Sequence, residues 1–516
     1  MNTEANVAAL HRLYAVRPQW RGVRCAREAV GLSGQTLLHA GPPFVDPRRP
    51  SAPVLSSAVL CCLYEGWAAS EEDAERLIAA GTVTLASAQS YGVVTPLAAV
   101  ISPRTSLVEV VDAAAPSQRA WSLLGSGAGA QIRFGSRNPA ILERMTWRDE
   151  TLAPALVQAL TRGPIDLIPL ARFGLDHGDD LHARTTSASA ALHELLSLRS
   201  VDAAVDAMLA QTPLFFLTLW MAACHLMMSA AARLADPGAT LVIALAGNGR
   251  EVGIRLAGQP SRWSTASATA PAGPRIDPSL DADAAPLTGD SGVIDAAGFG
   301  AQALALAPEP AAAFAAWLPT DWRERQALAY AGKHPAFEDL HCGLDAGRVA
   351  SESIAPLAAI AMIAANGRAG LLGRGLYAVP VDLFANAIEP AMLIDDPLTR
   401  AAVEAAFDAY ELALTTNDVA MLDTLFWDSP NTLRYGATEN LKGYEAIREF
   451  RAARPGKGLM RTIVDRSVTT FGADFAVANI VFTRDGDARA GRQSQTWVRI
   501  DGEWRVVAAH VSWMDA

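Results

Sequence analysis

Between Ala207 and Ala232 the chain has no Asp, Glu, Lys or Arg. Its centre, PLFFLTLWMAACHLMMSAAA, is long enough to cross a bilayer. A helix apolar on every side has two homes: a membrane, or the middle of a large folded domain. The stretch is rich in alanine, holds Gln211 and His225, and stands alone between acidic and mixed segments. The N-terminus, MNTEANVAALHRLYAVRPQW, has no apolar signal core. The segment therefore reads as a buried helix, and no membrane partner is expected. Only a large domain can cover such a helix.

The length of 516 residues gives room for two or three domains. With 51% hydrophobic and 19% charged residues the composition is that of a folded protein. A net charge of -11 supplies no basic footprint, which disfavours nucleic acid and suits an acidic cytoplasmic enzyme or subunit. The five cysteines form no CxxC pair, so reduced, buried thiols are expected and neither a disulfide framework nor a zinc ribbon.

Along the chain, TLLHAGPP (36–43) reads as a strand into a tight turn, and SEEDAERLIAAG (70–81) as a helix capped by Ser70 and stopped by Gly81. TVTLAS (82–87) and SLVEVVD (106–112) read as strands. Residues 150–235 are mainly helical in pattern. Two apolar runs flank Asn248-Gly249, a hairpin signal. Residues 259–305, rich in Ala, Pro, Gly, Ser and Thr, read as irregular loops. Composition breaks near 386–397, where Asp396-Pro397 is a helix start. The expected division is 1–388 and 396–516.

In the second part, Val403, Phe407, Tyr410 and Leu414 recur at helical spacing, which buries the face holding Tyr410. Strands follow at 460–470, 475–484, 491–500 and 503–513, so helices precede a curved antiparallel sheet, an α+β pattern. A two-residue turn at Asp501-Gly502 pairs Ile500 with Glu503. Carried onward without interruption, that register sets Gln493 opposite His510 and Trp497 opposite Val506. It puts Gln493, Gln495, Trp497, Trp504, Val506, Ala508, His510 and Ser512 on one covered face. Polar groups there must bond one another or a ligand. Tyr410 and Arg434 converge on them in this reading, beside Trp427 and Tyr435. Arg448, Arg451 and Arg454 read as a solvated helix face, and Glu439 as a turn residue.

The blocks YELALTTNDVAMLDTLFW, LRYGATENLKGYEAIREFRAARP, GRQSQTWV and EWRVVAAHVS resemble the AtzH-like family (which includes HpxZ) of the SnoaL-like, NTF2-like cone fold. The resemblance implies a pocket for a small carboxylated urea, amidohydrolase chemistry with Tyr410 and Arg434 as the catalytic pair, and a dimer formed through the cone domain. A guanidinium can clamp a carboxylate bidentately.

The first part carries no Walker, HExxH or GxSxG motif. GSGAGA (125–130) could offer backbone N–H groups to an anion, or be an ordinary turn. GLDHGDDLHAR (174–184) clusters Asp176, His177, Asp179, Asp180, His182 and Arg184. Such donors suit a divalent cation, and acids capping the next helix account for them equally well, so no metal and no cofactor is assigned.

The ordered blocks TLLHAGPP, CLYEGWA, IRFG, IDLIPLARFGLDHGDDLHAR, NGREVGIRLAG, RWSTA, GDSGVIDAAGFG and CGLDAGRV resemble the YlbE-like family, which contains the AllG-type subunit of oxamate carbamoyltransferase. The resemblance implies a multi-subunit enzyme passing a carbamoyl group between oxalurate and carbamoyl phosphate. It directs attention to His39, Glu65, Asp179, His182, Arg184, Asn248, Arg262, Asp290 and Ser291. Departures accompany it. Gln89-Ser90 stands where a His pair is expected, the glycine loop lacks an acid and a lysine, and PLAAIAMIAANGRAG (356–370) has Ala and Ile where Asn, His and Lys are expected.

The fold class expected is mixed α+β: a multi-lobed α/β region with a buried helical subdomain, then an NTF2-like cone. The function expected is catabolism of small anionic ureido compounds, by carbamoyl transfer or by amide hydrolysis, with partner subunits. The alternative is a scaffold or binding subunit whose first site has degenerated.

Overall fold

The computed structural model describes residues 3–199, 201–234, 236–337, 340–388, 394–456 and 458–514. Part of the composition break near 386–397 lies outside them. The chain divides into two compact units, Met1–Glu389 and Pro390–Ala516.

The charge-free run of the first unit is two helices, not one. Pro213 follows Thr212, whose hydroxyl bonds back to the Met208 carbonyl, and an X-Pro step leaves the α region. Ala203–Ala210 and Phe215–Ala231 therefore meet at 78°. No single helix among the described residues is long and apolar enough to cross a membrane. Phe215–Ala231 is buried along nearly its whole length. It packs on the first helix, Thr3–Ala15, on the strands Ser106–Asp112 and Ala115–Leu123, and on the helix Gly292–Ala297. Trp220 sits edge-on to Phe299 (5.0 Å) and Phe337 (6.1 Å). Each such ring is worth about 1.5–3 kcal/mol of burial.

Ser106–Asp112 is buried at every residue because it lies at the centre of a five-stranded sheet. Asn248-Gly249 does turn a hairpin, with Asn248 Oδ1 accepting from the N–H groups of Arg250 and Glu251. Ser70 caps Glu71–Ala79 by accepting from Asp73 N–H. Residues 259–305 are more regular than their composition suggests. Gln259–Ser267 is the edge strand of a four-stranded sheet, a position that tolerates Pro260 and hides the alternation of a core strand.

In the second unit Asp396 accepts from Thr399 N–H and starts the helix Pro397–Thr415. Val403, Phe407, Tyr410 and Leu414 are buried against Trp497, Val506 and Phe482. Six strands follow the order Asn440–Lys442, Leu433–Tyr435, Glu503–Met514, Ala490–Ile500, Phe475–Thr483, Thr462–Phe471. All neighbours are antiparallel except Leu433–Tyr435 on Glu503–Met514. Helices close one face of this curved sheet, which makes a cone.

The last hairpin keeps the expected register from Ile500–Glu503 to Trp497–Val506 and then slips. Val507 is an unpaired β-bulge, after which Thr496 faces Ala508, Gln495 faces Ala509 and Gln493 faces Val511. One inserted residue exchanges the two faces of everything beyond it. Ala509 and Val511 point into the cone, while Ala508, His510 and Ser512 point out of it.

Candidate functional site

Strand alternation carries Gln493, Gln495 and Trp497 onto the inner face of the cone, where the two glutamines are 2% and 1% exposed. Each glutamine spends its carbonyl within the protein. Gln495 Oε1 accepts from Trp497 Nε1 (3.2 Å), and Gln493 Oε1 accepts from Arg461 Nη1 (3.0 Å). Both Nε2 groups are buried with no acceptor among the described residues. So are Trp504 Nε1 and the Nε atoms of Arg454 and Arg484. A buried donor left unpaired costs about 1–3 kcal/mol. Here the surplus consists of N–H groups together with the Thr470 hydroxyl.

Tyr410 is buried on the same side, edge-on to Trp497 (centroids 6.4 Å, 88°) and 6.3 Å from Phe426. Its hydroxyl has no hydrogen bond among the described residues.

Three of the surrounding cations, Arg461, Arg434 and Arg451, are paired with acids. Arg461 forks onto Glu411 and lies 4.4 Å over the Phe482 ring. Arg434 is bound by Glu439 and stacks 4.8 Å over Phe450. Partial burial alone would raise the Glu439 carboxyl; the hydrogen bond and charge of Arg434 outweigh it and leave it below its ordinary value. Glu439 is thus more than a turn residue. The expected solvated arginine face is also corrected. Arg448 is exposed, but Arg451 is buried, paired with Asp423 (2.9 Å) and 3.9 Å over Phe426. Arg451 follows Ile447 at one turn, so it shares the packed side of its helix. Burial lowers the guanidinium pKa of Arg451 and Arg454, and the charge of Arg434 adds to it.

The inner face therefore gathers Tyr410, Arg434, Gln493 and Gln495. Tyr435, His510 and Ser512 are not part of it. Tyr435 is 40% exposed and meets the exposed His510 edge-on on the outer face (6.4 Å), because both follow the bulged register. Trp427 is fixed through its backbone N–H, which donates to the Val506 carbonyl, and its side chain is half-buried.

In the first unit a cavity of ≈ 330 Å³ adjoins one of ≈ 470 Å³. They share Arg133, Phe134, Pro213, Leu214, Ile276 and Leu371. The glycine loop lines the larger one through Gly127 and Gly129, and Arg144 holds that loop by the Ser126 carbonyl. His182, Arg184 and Ser291 line the smaller one. His182 Nδ1 donates to Asp295 Oδ2 (2.7 Å), which leaves Nε2 as the basic nitrogen. Asp295 Oδ1 accepts from the N–H groups of Ala301 and Ala359. Gly300 is required here, since a Cβ would lie 2.4 Å from that carboxylate.

Three of the highlighted positions turn inward instead. Asp290 is buried and accepts from Gly41 N–H (2.9 Å), Gln89 Nε2 (2.7 Å), Thr95 N–H (2.8 Å) and the Thr95 hydroxyl (3.3 Å). Asn248 is spent on its turn and on the Pro42 carbonyl, and His39 stacks on Phe44 (4.4 Å). Asp179 pairs with Arg184 and caps Thr186–Ser197 through Ala188 N–H, while Asp180 accepts from Ala183 and Arg184. Asp179 thus caps the next helix and Asp180 holds the turn that leads into it. No group of three or more His, Cys, Asp or Glu among the described residues is placed to hold a metal ion. Glu65 accepts from Arg104 N–H, and Arg262 donates to Gln259.

Arg133 escaped the sequence reading. Its signal was present: from 113 to 142 the chain has no Asp or Glu, so no nearby acid in sequence could neutralise it. Of the segment 356–370, Ala359, Ile360 and Ala361 line the smaller cavity.

Residues 83–291 match the family described as oxamate carbamoyltransferase subunit AllG, and residues 392–516 match the AtzH-like family. Oxamate carbamoyltransferase subunit AllG of Escherichia coli K12 is 30% identical over 409 residues, covering 75% of this chain and 96% of that protein. The uncharacterised protein YahG of the same organism is 27% identical over 404 residues, covering 74% and 84%. A crystal structure of a conserved protein of unknown function from Enterococcus faecalis V583 shares the fold, with a TM-score of 0.69 at 23% identity over 75% of this chain and 96% of that one. The chain belongs to the family of the oxamate carbamoyltransferase subunit AllG and carries, after it, an AtzH-like domain.

Proposed function

We propose that the protein works in the metabolism of small ureido compounds, and that the inner face of its AtzH-like domain binds a carboxylated urea such as oxalurate or 1,3-dicarboxyurea and hydrolyses it. The observation that carries this reading is the pair of buried Nε2 groups on Gln493 and Gln495 without acceptors. A planar ureido acid is rich in acceptors and supplies what that face lacks. Water adds to the ureido carbon, the C–N bond breaks, and the nitrogen leaves with a proton from the water. Tyr410 donates to the developing oxyanion. Arg434, held by Glu439, orients the carboxylate. The AllG-like unit acts as a carbamoyltransferase-type subunit beside partner subunits in the cytoplasm, with carbamoyl phosphate as its co-substrate, and the cone domain pairs with a second copy.

The test is ammonia release by the purified chain from 1,3-dicarboxyurea, oxalurate and related ureido acids, beside Tyr410→Phe and Arg434→Ala. Turnover that falls at least a hundredfold in Tyr410→Phe, with folding intact, supports hydrolysis at this face. Turnover unchanged in both variants refutes it.

A second reading is favoured by Ala359, Ile360 and Ala361 in the wall of the smaller cavity. The AllG-like unit then supports a partner enzyme without transferring carbamoyl groups itself. Binding of ureido acids with no turnover, even with oxamate and carbamoyl phosphate added, is its signature.

A further inference from the structure

Three arginines line the smaller cavity of the first unit: Arg133, Arg184 and Arg374. Arg184 is paired with Asp179, and Arg374 with Glu309 (2.7 Å). Arg133 has neither an ion pair nor a side-chain hydrogen bond among the described residues, and its Nε is buried. Its guanidinium lies 4.8 Å over the Phe134 ring, which fixes it at the junction of the two cavities. Burial lowers its pKa to about 10, so it keeps its charge at neutral pH. A half-buried cation that faces two cavities without a counter-charge is a demand for an anion.

The rest of the lining limits what that anion can be. Leu97, Leu217, Phe314, Ile360 and Leu371 form a wall of hydrocarbon. The other charged groups are already engaged, Arg184 and Arg374 with carboxylates and His182 with Asp295. A compact anion charged at both ends would leave its second charge against the wall with no free cation to meet it. An anionic head joined to an apolar body satisfies both ends at once, and a cavity of ≈ 330 Å³ is at the small end of ligand pockets.

We infer that this chamber binds an aliphatic monocarboxylate, its carboxylate on Arg133 and its hydrocarbon chain against Leu217, Phe314 and Ile360. The chamber is separate from the ureido-acid face of the cone domain and does not depend on it.

The test is calorimetric titration of the full-length chain with straight-chain monocarboxylates from acetate to octanoate, and with oxamate. Affinity rises about fourfold per added methylene until the chamber is full. Arg133→Met, checked for an unchanged unfolding transition, loses at least tenfold for every acid. Ile360→Asn leaves acetate unchanged and flattens the rise with chain length, and it decides the matter if Arg133→Met does not fold. Oxamate binding as tightly as hexanoate, or a chain-length series that Ile360→Asn does not alter, overturns the proposal. So does a folded Arg133→Met that binds like the parent.

Discussion

The two sites of this chain solve the same problem in opposite ways. In the cone domain Arg461, Arg434 and Arg451 are matched by Glu411, Glu439 and Asp423, and the surplus on the inner strands is in the neutral N–H groups of Gln493, Gln495 and Trp504, beside the Nε atoms of Arg454 and Arg484. In the AllG-like unit the surplus is a charge, on Arg133, in front of a wall of hydrocarbon. Neutral donors in a dry site discriminate by counting acceptors, since each unmet N–H costs about 1–3 kcal/mol. An unpaired cation selects by sign and leaves the body of the ligand to the wall. Shape and polarity then separate ligands that share a carboxylate.

The comparison breaks first if the highlighted acid of the AllG-like unit is a ligand-binding group and not a clasp. Asp290 gathers four donors from three segments, 41, 89 and 95. Asp290→Ala leaves them unmet in a buried place and costs about 3–5 kcal/mol or more. Denaturant unfolding should show a weakened transition for this unit while that of the cone domain stays in place. An Asp290→Ala chain of parental stability would return Asp290 to the list of ligand-binding residues.

Acid separates the two units next. Burial lowers the pKa of His39 and His334 to about 4, and burial with the charge of Arg255 lowers that of His225 to about 3. All three lie in the AllG-like unit, and the cone domain has only the exposed His510. Below the ordinary histidine value the unfolded chain takes up protons that the folded unit refuses. The stability these histidines give is whole above pH 6.5 and is lost as pH falls toward the folded values, by roughly 2–3 kcal/mol per histidine at pH 4. The unfolding midpoint of the AllG-like unit should drop over that window. If it is flat from pH 6.5 to 4, the histidines are not buried neutral.

A smaller effect sharpens the reading of the cone. Gln495→Met removes a buried Nε2 that has no partner, but also the Oε1 that accepts from Trp497 Nε1, so it should cost about 1–3 kcal/mol, the cost of one buried donor left unpaired. Ureido-acid affinity should fall about tenfold, the worth of one hydrogen bond to a charged group. A purely structural glutamine would show the same loss of stability with no loss of binding.

Much of this was legible because local rules and tertiary packing agree. Asp396-Pro397 starts its helix, Asp501-Gly502 turns its hairpin, and the 403–414 spacing buries Tyr410. The AllG-like chamber was less so, since Arg133, Leu217, Phe314 and Ile360 come from four distant segments and only the fold assembles them. The acids of 174–184 could be read two ways; the backbone partners of Asp179 and Asp180 make the one a helix cap and the other a turn residue.

The bulge at Val507 was invisible, and it leads to the smallest and most pointed prediction. Nothing in WRVVAAHVS marks an extra residue, as there is no glycine or proline, and each of Val506, Val507, Ala508 and Ala509 fits either face. An uninterrupted ladder would bury His510 beside Gln493, whereas the bulged one leaves His510 outside against Tyr435. His510→Ala and Ser512→Ala should therefore change stability by no more than about 0.5 kcal/mol and leave ureido-acid affinity within about twofold. Deleting Val507 should keep every pairing beyond it, because the residue is unpaired, and so leave His510 outside. A His510→Cys thiol should stay open to a bulky reagent in both backgrounds. If His510→Ala abolished binding as Gln495→Met weakens it, the inner face would extend to residue 510. The cone would then read its ligand with an imidazole, and its contrast with the chamber around Arg133 would narrow to one of wall polarity alone.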